Sequence, residues 1–181
     1  MSELTFRKLL LYKDPCFLSV KAITKYEIYN EKELVAFIEV KDFIHAKIYY
    51  KSKWLYIQPL SKFINTTVEL LSEEEIKFGE IHVWGWTLKK QKLFIKDGKG
   101  FEEWEFNHPY LIHNNQYKTS LKNYNETIVY EFKLGIRFRK YTSHYCLREI
   151  TGTINYEQSD ELVAILGIYL NEQLLLKQNM D

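Results

Sequence analysis

Glycine and proline are scarce in this chain, with seven Gly and three Pro among 181 residues. That scarcity excludes long flexible linkers; no low-complexity tract is present, and a length of 181 residues suits a single domain over residues 1–181. Cysteine is nearly absent. Cys16 and Cys146 form no CxxC pair and imply no disulfide scaffold, and no neighbouring base marks either as a catalytic thiol. An excess of charge is also missing: 25 Lys and Arg face 24 Asp and Glu, a net charge of +1. A dedicated nucleic-acid binder carries a basic excess or stripe, so no nucleic-acid partner is expected. Residues 1–7 contain no basic segment leading into an apolar core, so no signal peptide is expected. The expectation is a soluble, cytoplasmic, monomeric protein. GxSxG, GxxxxGK[ST] and GxGxxG are all absent, and Glu73-Glu74-Glu75 reads as a solvated loop. No catalytic residue, cofactor or metal is assigned, and the expectation is a protein that is not an enzyme.

What the chain has is apolar and aromatic material, 46% and 16% of residues, enough for a sizeable core. Near the end, residues 160–177 read as one helix. Ser159 is placed to cap it, Asp160 and Glu161 suit its positive first turn, and Lys177 suits the far end. Between 162 and 170 the only polar side-chain group is the hydroxyl of Tyr169. A helix apolar all round needs apolar surroundings on every side. The run is too short to span a bilayer, which takes about 20 apolar residues. It is therefore expected inside the protein.

From Phe6 to Glu157 the pattern is β. Residues 128–138 alternate Ile128, Tyr130, Phe132, Leu134, Ile136 and Phe138 against Glu131, Lys133, Arg137 and Arg139, the period of a half-buried strand. Leu34, Ala36, Ile38 and Val40 share one parity, as do Ile44, Ala46, Ile48 and Tyr50. Residues 30–33 and Asp97-Gly98 read as hairpin turns. Residues 108–125 read as the longest irregular piece, and 148–156 as the last strand. This gives about ten to twelve strands and one apolar helix. A sheet of that size removes its edges by closing. The fold class is mainly β, a closed antiparallel barrel of about 12 strands around a central C-terminal helix.

This layout resembles the tubby C-terminal-like superfamily, within it the LURP-one-related and phospholipid-scramblase-like proteins. The resemblance is carried by the helix at 161–176, by the hairpin pattern Lys25-Tyr26-Glu27-Ile28-Tyr29-Asn30-Glu31, and by Phe78-Gly79-Glu80-Ile81 with Leu93-Phe94-Ile95-Lys96-Asp97-Gly98. It implies a twelve-stranded closed barrel and an outer surface that engages anionic lipid headgroups. The calcium segment of scramblase-like members is not carried over, because residues 155–161 lack spaced Asp and Asn ligands.

Candidate site residues follow from the outward positions. Lys133, Arg137, Arg139 and Lys140 form a basic row that suits phosphate or a lipid headgroup, and equally a solvated strand face. Lys89 and Lys90 follow Trp84-Gly85-Trp86, which suits either a membrane-interface surface or core tryptophans at a bend. His108 and His113 lack the i, i+4 spacing of a helical zinc pair, and His82 reads as an outer strand residue. The functional expectation is a non-enzymatic binding or scaffold protein. Its partner would be an anionic membrane surface, which it would meet peripherally, or a protein. The alternative is a lipocalin-like or helix-grip carrier of small apolar ligands, which calls for a hollow beside the helix.

Overall fold

The computed structural model describes residues 2–12, 23–41, 44–60, 67–84, 90–97, 100–107, 116–134, 139–141, 144–157 and 159–178. Among the described residues thirteen strands run in chain order. The first seven are β1 Ser2–Tyr12, β2 Ile23–Asn30, β3 Glu33–Val40, β4 Ala46–Tyr50, β5 Lys53–Pro59, β6 Thr67–Leu71 and β7 Lys77–Trp84. There follow β8 Lys90–Asp97, β9 Gly100–Asn107, β10 Gln116–Lys122, β11 Thr127–Leu134, β12 Arg139–Tyr141 and β13 His144–Tyr156, then the helix α1, Glu161–Gln178. Each strand from β1 to β10 pairs antiparallel with the next, and β13 pairs with β11, β12 and β1. The sheet is thus a closed barrel.

It has twelve staves. β11 and β12 lie end to end against one side of β13, meeting residues 150–155 and 144–146 of it, while β1 takes the other side. An up-and-down barrel closes with an antiparallel seam only if its staves are even in number, and the β1–β13 seam is antiparallel. The strand expected over 128–138 ends at Leu134, and residues 135–138 lie outside the described ones.

Alternation decides what faces inward. Ala36, Ile38 and Val40 on β3, Ala46, Ile48 and Tyr50 on β4, and Ile128, Tyr130 and Phe132 on β11 are all buried. Leu34 departs from the expected parity and is 49% exposed. The register slips there: Ile28 pairs with Ala36 but Tyr29 pairs with Leu34, so Val35 is a bulge residue that turns its predecessor outward. The second departure is β10, which lies inside the piece expected to be irregular. Its inward positions are Tyr117, Thr119 and Leu121, and a threonine among them disguised the period.

The helix fills the barrel. Every residue from 163 to 173 is buried, and Ala164, Ile165, Leu166, Ile168, Tyr169 and Leu170 are fully enclosed. Eight successive residues at about 100° each sweep the whole circumference, so an even apolar coat is what a sheathed helix requires. Gly167 marks the closest approach to the wall. A Cβ there would lie 1.9 Å from the Tyr130 hydroxyl, which donates to the Ala164 carbonyl at 3.0 Å. The cap is Asp160, not Ser159. The helix begins at Glu161, and the Asp160 carboxylate accepts from Leu162 N at 3.0 Å. Ser159 Oγ instead donates to Glu126 at 3.2 Å. No helix among the described residues is long and apolar enough to cross a membrane.

Candidate functional site

Across the barrel's outside, register partners line up in lateral rows. One row runs Glu27, Arg7, Thr151, Lys133, Gln116 over β2, β1, β13, β11 and β10. The next runs Tyr29, Thr5, Thr153, Glu131, Lys118 over the same staves. All of these residues except Glu27 line an open trough of about 890 Å³. Arg7 and Lys133 stand one strand to either side of Thr151. They are thus about 10 Å apart at the backbone, with the Arg7 guanidinium bonded to Glu27 on the far side.

The floor is made by a glycine. Gly152 sits between Phe6 and Phe132 in the register. A Cβ on it would lie 2.4 Å from the Phe6 ring and 2.1 Å from the Glu131 carbonyl. Without one, Phe6 packs edge-on to Phe132 at 4.8 Å, and Tyr117 stacks on Phe132 at 4.2 Å. Gly152 is thus a place where rings beneath the sheet reach the backbone.

The trough and its rim are cationic by one charge, three cations against Glu27 and Glu131. Its lining carries Arg7, Lys118 and Lys133 against the single carboxylate of Glu131, and that carboxylate is held by Lys118 at 2.7 Å. At the rim, Glu27 accepts from Arg7 at 2.5 Å and from the Tyr29 hydroxyl at 2.9 Å. Burial, the largest single influence on Glu27, pushes its carboxyl up. The bonds from Arg7 and Tyr29 and the charges of Arg7 and Lys25 together outweigh burial and hold it below the usual carboxylate value. Lys133 is exposed and has no ion-pair partner among the described residues. A second open trough, of about 750 Å³, is lined by Glu102, Glu103 and Glu105 with Lys122 and 123–125, and its sign is wrong for an anion.

Of the residues the sequence nominates, Lys133 is placed on the outward face and in the trough. Arg137 and Lys89 lie outside the described residues. Of Arg139, Lys140 and Lys90, only the strand backbone is described, in β12 and β8. His82 is an outer strand residue as expected, bonded to Glu80 at 2.6 Å. Among the described residues no cluster of His, Cys, Asp or Glu is grouped to hold a metal. Arg7, Thr151 and Thr153 escape sequence reading, because their proximity to Lys133 depends on the seam between the first and last strands.

A second polar assembly lies inside. Asn171, Glu172 and Gln173 are fully buried, and each meets a different wall. Asn171 accepts from Thr119 of β10 at 2.7 Å and donates to the Gly167 carbonyl at 2.8 Å. Glu172 accepts from Lys8 of β1 at 2.5 Å and from the Tyr26 hydroxyl of β2. Gln173 accepts from Gln91 of β8 at 3.0 Å and donates to Tyr169 at 2.8 Å. Burial, then the charge of Glu172, raises the Tyr26 phenol well above its ordinary value, so it stays a neutral donor. This collar is enclosed and has the character of a fastening for the helix.

Comparison with protein-family models, with curated proteins and with solved structures gives no match to this chain.

Proposed function

We propose that this is a non-enzymatic binding protein of tubby-like architecture that takes an anionic group in its outer trough. Arg7 and Lys133 on either side of Thr151 are the observation that carries the reading. Lys133 offers a point charge and the threonines hydroxyl donors, while the Arg7 guanidinium, bonded to Glu27 through Nε and Nη2, adds its charge from the rim. The group is a phosphate, borne by a lipid headgroup or by a soluble phosphate ester. The twelve-stave barrel with its enclosed terminal helix supports the tubby-like part of the reading. The carrier alternative draws no support from the interior: the flank at 164–169 is buried on all sides, and no helix residue lines either trough.

The test has two arms. The chain is titrated with a soluble inositol polyphosphate, and separately sedimented with vesicles with and without a phosphorylated lipid. Binding in at least one arm is expected, weakening with salt. Lys133→Glu should weaken it roughly 30-fold, since a lysine near an anionic surface contributes about 1 kcal/mol and reversal counts twice. Binding of the soluble ester alone assigns the trough to a free solute. Binding in neither arm, or binding indifferent to Lys133→Glu, overturns the proposal.

A further inference from the structure

The lateral row that crosses the trough continues past Glu27. On β3, β4 and β5 its next members are Phe37, Tyr49 and Trp54, paired in that order. All three point outward, and all three are half-buried against one another. Phe37 stacks on Tyr49 at 5.2 Å and 22°, and Trp54 meets both rings edge-on at 5.3 Å. Leu34, turned out by the bulge at Val35, extends this apolar surface at 49% exposure. The platform is centred on β4 and the trough on β13, about a third of the way around the barrel, so the two face different directions.

Cations surround the rings. Lys25 Nζ lies 4.7 Å from the centre of Phe37, and Lys47 Nζ lies 6.0 Å from Trp54 and 5.8 Å from Tyr56. Lys51 and Lys53 stand exposed at the adjoining hairpin. Carboxylates share the face, and Glu74 of the neighbouring loop feels the charge of Lys53. Glu27 is occupied by Arg7 and Lys25, and Glu39 lies laterally between Lys25 and Lys47.

We infer that this platform is a membrane-contact face, which meets the interfacial layer of an anionic bilayer with Trp54, Tyr49 and Leu34 while the surrounding lysines reach the headgroups. Tryptophan and tyrosine, each an apolar body with one polar tip, suit a layer that is greasy below and wet above. Lysine stems lie along apolar surface while their ammonium groups stay in water, and each adds attraction to acidic lipid. The identity of the cations separates this from a protein-docking surface: all four are lysine, the residue depleted from protein interfaces, where arginine is favoured. The inference goes beyond the trough and does not depend on what fills it. A bilayer lying against the platform leaves the trough open to water.

The test is tryptophan fluorescence of the full chain with vesicles of phosphatidylcholine and phosphatidylserine brominated on their acyl chains, read beside sedimentation. Bound wild-type protein should be quenched. Trp54→Phe, which keeps an aromatic ring in the cluster, should still sediment but lose most of that quenching. Lys25→Glu with Lys47→Glu should lower vesicle affinity roughly several hundred-fold, while Lys133→Glu leaves the quenching of bound protein unchanged. Quenching that survives Trp54→Phe, sedimentation without quenching, or no association with vesicles overturns the membrane face. The soluble-ester titration at the trough stands or falls separately from all three.

Discussion

Two adjoining stretches of one helix, 163–170 and 171–173, are equally shut away from water and are held there by different physics. The first is apolar on every side. Its burial scales with area removed from water and is indifferent to direction, so that term fixes that the helix is inside, and within this stretch the Tyr130 contact at Ala164 and Gly167 bears on rotation and depth. The second carries Asn171, Glu172 and Gln173, whose side chains leave the axis about 100° apart and bond to β10, to β1 and β2, and to β8. Hydrogen bonds are directional, and a buried group that misses its partner is heavily penalised. A turn or a slide of the helix would break several of these contacts together. Packing brings the helix in, and the collar sets its register.

The most severe way to break this comparison is to give the apolar stretch a charge with nowhere to go. Leu166 is fully enclosed, and Leu166→Asp should abolish soluble, folded protein, because an unpaired buried carboxylate is far costlier than the whole stability margin of a domain allows. A variant melting at the parental temperature would show that the helix does not need its sheath.

The collar responds to a subtler manipulation. Lys8→Met leaves the Glu172 carboxylate 1% exposed with the Tyr26 hydroxyl as its remaining named donor, a loss of about 3–5 kcal/mol. Glu172→Leu should cost less. It leaves the ammonium of Lys8, whose side chain is 11% exposed and flexible enough to turn toward solvent. The double variant should be more stable than Lys8→Met alone, since replacing both charges removes the uncompensated one. Urea unfolding of the four proteins measures the coupling. Strict additivity would mean that Lys8 and Glu172 are neighbours without being partners.

How much of this could be read beforehand follows the same division. The sheathed helix was legible because a coat apolar all round has one physical solution, and barrel closure followed from the strand count. The collar was not legible. Three consecutive polar residues after an apolar run look like a helix emerging into water, and their partners Thr119, Lys8, Tyr26 and Gln91 are scattered over the chain. Thr119 misled twice, first by interrupting the alternation of β10 and then by hiding a bond to Asn171. On the outside, alternation showed that Lys133 faces solvent. Cross-strand register alone shows that Arg7 and Thr151 stand beside it and that Leu34 has been turned outward.

A finer comparison sets the inner carboxylate against an outer one. Glu27 faces outward, yet it is bonded by Arg7 and Tyr29 and lies 3.7 Å from Lys25. Its folded-state pKa is below the ordinary 4.5, the net result of partners that outweigh burial. A depressed carboxylate contributes stability that is fully present above the unfolded value and is lost as pH falls through the folded one. Glu27→Gln should therefore be measurably less stable than the parent at about pH 6, and the gap should narrow on acidification toward about pH 3. Glu80, which is also depressed through its bonds to Lys77 and His82, titrates equally in both proteins and cancels in the difference. Urea midpoints of the two proteins over that range test this. A gap that stays constant with pH would mean that Glu27 acts by shape and hydrogen bonding, with no contribution from its charge, and the rim of the trough would then owe nothing to the Arg7 ion pair.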